Sequence, residues 1–269
     1  MYKYILFDLD GTLTDPKLGI TSCVQYALHK FGIEEPDRDK LEPFIGPPLL
    51  DSFQEFYGFD EEKGLQAVAY YRERFSTVGL FENEIYPGIA QMLARMQRAG
   101  CRLAVASSKP TVFVTQILEH FGILSYFEVI VGSELDGTRS RKEEVVEEAL
   151  RQLLRDGSGE EEACTYGIVG GTGMEKSVSE AQNRKRTGAG WTEAEDILCG
   201  KLRHDIAMVG DRKYDIMGAK AYHIDSVGVT YGYAAAGELE AAGADVIVAT
   251  VEELEKALSA RAGFGEASL

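Results

Sequence analysis

Short apolar runs recur along the chain and alternate with longer stretches in which apolar and polar residues are mixed. The runs are rich in valine and isoleucine, and polar or turn-forming residues flank them. Continuous apolar runs of this length are typical of strands that are buried on both faces of a sheet. The predicted strands are residues 4–7, 102–106, 129–131, 206–209, 226–229 and 246–248.

The mixed stretches between these runs place their apolar residues at helical spacing, which predicts amphipathic helices. Strands that alternate with helices are joined by right-handed crossovers and form a parallel sheet with helices on its faces. The sequence therefore predicts an α/β fold with a doubly wound parallel, Rossmann-like sheet. The expected helices are residues 89–99, 112–121, 143–154 and 251–258.

Two segments interrupt this alternation. Residues 16–85 contain helical patterns but no convincing strand, so we expect a separate helical domain there. Residues 157–203 are too many for an ordinary helix-to-strand connection, and we interpret them as an atypical long insertion. The insertion lies within a core domain that we expect to comprise residues 1–15 and 86–269. The helical patterns in the other domain cover residues 20–31, 49–57 and 63–78.

The composition narrows the choice of partners and of location. The chain has 28 basic and 44 acidic residues and a net charge of -16, which disfavours nucleic acid or an anionic membrane as a partner. We recognise neither a signal peptide nor an apolar stretch of about 20 residues, and we therefore expect a cytoplasmic protein. The cysteines form no C-x-x-C pair, so neither a disulfide framework nor a zinc site is expected.

Two acidic residues, Asp8 and Asp10, follow the first predicted strand in the sequence F-D-L-D-G-T-L-T. Ligands bind beyond the carboxyl ends of the strands in parallel α/β sheets, and Gly11 permits the chain to turn there. One carboxylate can attack phosphorus while the other transfers a proton to the leaving oxygen and later activates water. The same residues also suit an Asx turn at a strand end.

A D-L-D-G-T-L-T segment that opens a doubly wound fold resembles the haloacid dehalogenase superfamily of phosphohydrolases. The resemblance implies that Asp8 is the nucleophile, that Asp10 is the acid and base, and that Ser107 binds a phosphoryl oxygen. It also implies a lysine that neutralises the phosphoaspartate, for which Lys142 is the best match. Taken alone, Ser107 better suits a helix N-cap before a proline, and a lysine at the start of a helix is usually solvated. The other cations that fit the lysine's role are Lys109, Arg139 and Arg141.

A further motif, G-D-R-K-Y-D, follows the fourth predicted strand and places Asp211 and Asp215 one helical turn apart. Magnesium prefers oxygen ligands and few protein carboxylates. The resemblance implies that Mg²⁺ is held by Asp8, the backbone carbonyl of Asp10 and Asp211, with Asp215 as a ligand or close neighbour. A capped helix start is the alternative interpretation of this aspartate pair.

The helical domain occupies the position at which this superfamily carries a cap over the active site. Its segment F-I-G-P-P-L resembles the substrate-facing loop of phosphoglycolate phosphatases, although a rigid linker would use the same residues. Arg72 and Arg74 in the cap suit either a substrate anion or a solvated helix face. The predicted substrate-binding residues are Thr12, Gly46, Pro47, Ser108 and Lys109.

These motifs predict a magnesium-dependent phosphomonoester hydrolase that forms a phosphoaspartate on a small phosphorylated metabolite. Phosphoglycolate is the first candidate for that metabolite. The alternatives are a 5′-nucleotidase, a phosphosugar mutase and a binding protein for phosphorylated ligands that has no catalytic activity. The dehalogenase branch typically lacks the second acid, so Asp10 argues against it. We expect a monomer or a weak homodimer.

Overall fold

A computed structural model describes residues 1–155 and 203–260 of the chain. Six strands form a parallel sheet in the order β5-β4-β1-β6-β7-β8, and two short strands, β2 and β3, form a separate antiparallel pair. This order confirms the predicted doubly wound α/β fold. The strands are β1 (Tyr4–Phe7), β2 (Thr14–Asp15), β3 (Glu84–Ile85), β4 (Arg102–Pro110), β5 (Val129–Ser133), β6 (Ile206–Gly210), β7 (Asp225–Val229) and β8 (Val246–Val248).

Helices cover both faces of the large sheet. Successive side chains of its central strands point to opposite sides, so each face presents apolar side chains that the helices bury. In β1, Ile5 and Phe7 belong to one apolar cluster, and Leu6 belongs to the cluster on the other face. The helices are α1 (Lys17–His29), α2 (Leu49–Tyr57), α3 (Glu61–Arg74), α4 (Ile89–Arg98), α5 (Thr111–His120), α6 (Lys142–Arg155), α7 (Lys213–Ala221), α8 (Glu238–Ala242) and α9 (Val251–Ala260).

The cap contains α1, α2 and α3, as the helical patterns predict. The predicted helix 63–78 is α-helical only as far as Arg74, and the chain continues as a π-helical turn, Phe75–Gly79. The expectation of no strand in this segment is wrong at β3, which pairs with β2 where the cap joins the core. A strand of two residues is too short to produce an apolar pattern.

The register of the sheet brings the sequence motifs to one end of three adjacent strands. Phe7 of β1 is level with Val105 of β4 and with Val209 of β6. The residues that follow these positions therefore share one edge of the sheet. The predicted insertion 157–203 lies outside the described residues except for its last position. Within the described part of the chain, no helix is long and apolar enough to span a membrane.

We expect the apolar contacts of α5 to stabilise the core domain. Leu118 is fully buried on this helix, whereas Val112 on the same helix is 44% exposed. Leu118→Ala should lower the free energy of unfolding by about 2–5 kcal/mol because it leaves a cavity. Val112→Ala, the matched control, should change it by less than about 0.5 kcal/mol. Urea unfolding measures both values, and equal effects of the two substitutions would contradict the packing described here.

Candidate active site

Three buried aspartates meet where β1 and β6 end. Asp8, Asp211 and Asp215 each place a carboxylate oxygen within 4.8 Å of the oxygens of the other two. The backbone of Asp8 is fixed by a hydrogen bond from its amide to the carbonyl of Val209, 2.9 Å away. The two central strands therefore set the position of this cluster.

Lys142, the first residue of α6, is buried inside this cluster. Its Nζ lies 2.9 Å from Asp8 Oδ1 and 2.8 Å from Asp215 Oδ1, and it donates a hydrogen bond to the carbonyl of Ala106 at 3.1 Å. Burial acts to lower the pKa of Lys142, but the charges of Asp215 and Asp8 outweigh it and raise that pKa. Lys142 is therefore a charged partner of the predicted nucleophile and not a solvated helix-start residue.

Lys109 contacts a different carboxylate. Its Nζ lies 2.5 Å from Asp10 Oδ2, and both side chains are almost completely buried. Burial raises the pKa of the Asp10 carboxyl, and the charge of Lys109 opposes that rise. The two lysines that the sequence left open thus face the two aspartates of the first motif, one each.

The two arginines that also fitted the lysine's role point elsewhere. Arg139 donates to the carbonyl of Gly132 at 3.0 Å and pairs with Glu134. Arg141 pairs with Glu144 at 2.7 Å, and its side chain is 74% exposed. Both guanidinium groups therefore have surface partners of their own.

The hydroxyl residues of the motifs differ in their surroundings. Ser107 is buried, and its Oγ accepts a hydrogen bond from the Lys109 amide at 3.4 Å. The N-cap position of α5 belongs to Pro110, so the interpretation of Ser107 as that cap is wrong. Thr12 donates to Asp211 Oδ1 at 3.4 Å, and Ser108 lines the cavity beneath the cap. Thr12 therefore supports an aspartate of the cluster.

Backbone amides orient the two aspartates of the fourth motif. The amide of Tyr233 donates to Asp211 Oδ2 at 2.7 Å, and the amide of Arg212 donates to Asp215 Oδ2 at 3.0 Å. The second bond shows that Asp215 also caps α7, as the alternative interpretation of the motif held. Gly11, with φ at +81°, passes so close that a Cβ there would lie 2.1 Å from Asp211 Oδ2.

The electrostatics of the cluster suit a divalent cation. Burial raises the pKa of Asp211 well above its usual range, and the charges of Asp215 and Asp8 add to the rise. Burial also raises the pKa of Asp215 to about 6, although Lys142 opposes the rise. The buried Oδ1 atoms of Asp8, Asp10 and Asp215 accept no hydrogen bond of good geometry from residues 1–155 or 203–260, even though Lys142 is at ion-pair distance from two of them.

Four carboxylates therefore share this interior with two lysines, and two negative charges are left when all six groups are ionised. An ion that prefers several oxygen ligands matches both this charge and the unused oxygen atoms. Asp8, Asp211 and Asp215 are the side chains that would hold it.

A cavity of about 340 Å³ lies between the cap and the carboxyl ends of the strands. Asp10 and the predicted substrate-binding residues Gly46, Pro47, Ser108 and Lys109 line it. Among the cap arginines, Arg72 lines the cavity, and its Nη1 donates to the carbonyl of Leu135 at 2.7 Å. Arg74 pairs instead with Glu82 at 2.7 Å. Apolar side chains form most of the remaining wall, among them Phe44, Leu49, Leu65, Val68, Tyr71, Phe75 and Phe113.

Sequence reasoning missed two residues beside the cluster. Tyr233 supplies the amide that binds Asp211, and its hydroxyl contacts Asp15 at the junction of the cap and the core. Arg212 connects the fourth motif to the cap through its side chain. Arg212 stands inside a motif that was already recognised, whereas no sequence pattern distinguishes Tyr233.

Comparisons with known proteins identify the family of this chain. Residues 5–167 match the family described as Haloacid dehalogenase-like hydrolase, and residues 184–254 match a second family, HAD-hydrolase-like. The chain belongs to the haloacid dehalogenase superfamily. This result confirms the predicted family and the predicted class of enzyme, a phosphoric monoester hydrolase.

Known proteins with different names are similar to this chain over most of its length. A 5′-nucleotidase of Pseudomonas aeruginosa is 42% identical over 89% of this chain and 88% of its own. Tyrosine-protein kinase PtkA of Mycobacterium tuberculosis is 33% identical over 95% of this chain and 72% of its own. The crystal structure of a predicted phosphatase from Clostridium acetobutylicum has a TM-score of 0.74 and 41% identity, and covers 97% of this chain and 99% of its own.

We expect magnesium to stabilise the folded protein through the aspartate cluster. Saturating Mg²⁺ should raise the melting temperature of the wild type by about 5 °C, as a ligand at about 100 times its Kd does. Asp211→Asn should abolish this rise because it removes a ligand charge. Asp225→Asn changes a buried aspartate outside the cluster, and this variant should retain the rise in melting temperature. Calorimetry with Mg²⁺ or EDTA measures the rise, and an undiminished rise in Asp211→Asn would place the ion elsewhere.

Proposed function

We propose that the protein is a magnesium-dependent phosphatase that forms a phosphoaspartate on Asp8. The observation that carries this proposal is the buried contact of Lys142 with Asp8 at 2.9 Å, two residues before Asp10, which lines the cavity beneath the cap. A buried lysine beside a carboxylate supplies positive charge where the equatorial oxygens of a transferring phosphoryl group would lie.

The two aspartates of the first motif have separate roles in the proposed reaction. Asp8 attacks phosphorus and forms an acyl phosphate while the bond from phosphorus to the leaving oxygen breaks. Asp10 gives that oxygen a proton and then takes a proton from the water that hydrolyses the acyl phosphate. Inorganic phosphate is released, and both aspartates return to their starting states.

Other residues of the cluster stabilise charge during these steps. Ser107 donates a hydrogen bond to a phosphoryl oxygen, and Lys142 balances the negative charge of the transferred group. Lys109 holds the Asp10 side chain by its contact at 2.5 Å. Bound Mg²⁺ supplies the positive charge that allows a phosphate dianion to approach Asp8 in spite of their like charges.

Phosphate release from a panel of phosphomonoesters tests the mechanism. We expect turnover in the presence of Mg²⁺, loss of turnover with EDTA, and at least about a 10³-fold decrease in Asp8→Asn. Asp37→Asn, the same change at an exposed position of the cap, should retain wild-type activity. No turnover by folded, Mg²⁺-loaded protein would contradict the hydrolase, and activity only with a bisphosphate activator would indicate a mutase.

The cavity favours a leaving group that is larger and less acidic than the two-carbon acid of phosphoglycolate. Among the described residues that line it, the cationic side chains are Lys109 and Arg72, and both already have partners. The lining also includes Asp51 and Asp136, whose charges would repel a carboxylate, and Glu134, whose charge is paired with Arg139. We therefore place an uncharged leaving group that contains a ring ahead of phosphoglycolate. A nucleoside is one such group, and the similarity of this chain to a 5′-nucleotidase of Pseudomonas aeruginosa supports it.

This substrate class leads to a direct comparison. We expect kcat/KM for a nucleoside monophosphate to exceed that for phosphoglycolate. Leu65→Glu should lower the value for the nucleotide by about 10-fold or more, because it places a charge in the apolar wall of the cavity. Val78→Glu introduces the same charge at another exposed apolar position of the cap and should not. A higher kcat/KM for phosphoglycolate would contradict the proposed nucleoside leaving group and favour phosphoglycolate as the substrate.

A further inference from the structure

Arg212 belongs to the core domain, but its side chain reaches the cap. Its Nη1 donates a hydrogen bond to the carbonyl of Ile45 at 2.6 Å. Ile45 directly precedes Gly46 and Pro47, which line the cavity. A Cβ added at Gly46 would lie 3.2 Å from Arg212 Cγ, so the arginine stem packs against this loop as well. The contact therefore holds the loop of the cap that faces the proposed substrate.

The guanidinium of Arg212 is also fixed from the side of the core. Its Nε donates to Glu238 Oε1 at 2.9 Å, and the same oxygen accepts the amide of Lys213 at 2.9 Å. Glu238 Oε2 accepts the amide of Ala235 at 3.1 Å. The side chains of Arg212 and Glu238 are only 13% and 11% exposed. Because this ion pair is largely shielded from water, Arg212 has little freedom to leave the orientation that reaches the cap.

The backbone of the same residue supports the reactive cluster. The amide of Arg212 donates to Asp215 Oδ2, and Asp215 Oδ1 pairs with Lys142, which in turn contacts Asp8. Arg212 thus binds the cap loop through its side chain and the carboxylates of the reaction centre through its backbone amide. A residue with a structural role only within the core would have no need of the contact with Ile45.

We propose that Arg212 is a positioning residue that locks the cap loop over the cavity and so makes leaving-group binding assist the reaction. This inference rests on the proposed phosphatase function. Its side chain should matter most for phosphomonoesters whose leaving group is large enough to touch the cap. Phosphoryl compounds with a very small leaving group should depend on it much less, because they contact only the core.

Two substrates of different size separate this role from a general effect on the fold. Arg212→Met keeps most of the stem but removes the charged donor, and it should lower kcat/KM for p-nitrophenyl phosphate by about 10- to 100-fold. The value for acetyl phosphate should change by less than about 3-fold. Arg212→Lys should recover part of the loss, because an ammonium can reach one of the two oxygen partners but not both in the planar geometry of a guanidinium.

Lys213→Met is the matched control, because it removes the positive charge of the neighbouring residue. The Lys213 side chain is exposed, and in the described part of the chain it donates no hydrogen bond to the cap loop. It should leave both substrates at wild-type values. Equal losses for the two substrates in Arg212→Met, or no loss, would overturn the proposal.

A second measurement does not depend on activity. Amide hydrogen exchange in the segment 44–49 should be faster in Arg212→Met than in the wild type and in Lys213→Met, because the loop loses its anchor. Unchanged exchange would overturn the proposed lock. If the wild type hydrolyses neither substrate, the phosphatase proposal fails, and the exchange result still decides whether Arg212 anchors the cap loop.

Discussion

Mutual repulsion among buried carboxylates is the constraint on which the rest of this structure depends. Asp8, Asp211 and Asp215 lie within a few ångströms of one another in the interior, where like charges are costly. Lys142 offsets part of that cost through its contacts with two of them. A bound cation would offset the remaining negative charge, and a protein of net charge -16 could then attract phosphate where its field is locally reversed.

The fold keeps these groups together through the order of its strands. Because β1 lies between β4 and β6, three motifs that are far apart in the chain end at one edge of the sheet. A glycine at position 210 makes the close approach possible, since a Cβ at Gly210 would lie 2.1 Å from Asp215 Cγ. The apolar clusters on the two faces fix the strands that carry the charges, so the cost of assembling like charges is offset by core packing elsewhere.

In the proposed phosphatase, the cap would select the substrate and the core would carry out the reaction. The apolar side chains of the cap form much of the cavity wall, while the groups that would contact the phosphoryl group come from the strand ends and from the start of α6. Arg212 and Arg72 hold the cap to the core through backbone carbonyls, those of Ile45 and Leu135. Such contacts to backbone carbonyls depend on the position of the cap and not on which cap side chains line the cavity. Specificity can therefore change by substitution within the cap while the chemistry stays the same.

The sequence by itself determined the sheet and the motifs. Buried parallel strands require continuous apolar runs, and Asp8 and Asp211 directly follow two of these strands, with Asp10 and Asp215 a few residues further on. Local pattern could not assign Lys142 and Lys109 to their carboxylates, nor find β3, which is stabilised by its pairing with β2. The partner of Arg212 is a carbonyl in the cap, 167 positions away along the chain. Only the tertiary structure decided these contacts, because each depends on which distant groups the packed domains bring within a few ångströms.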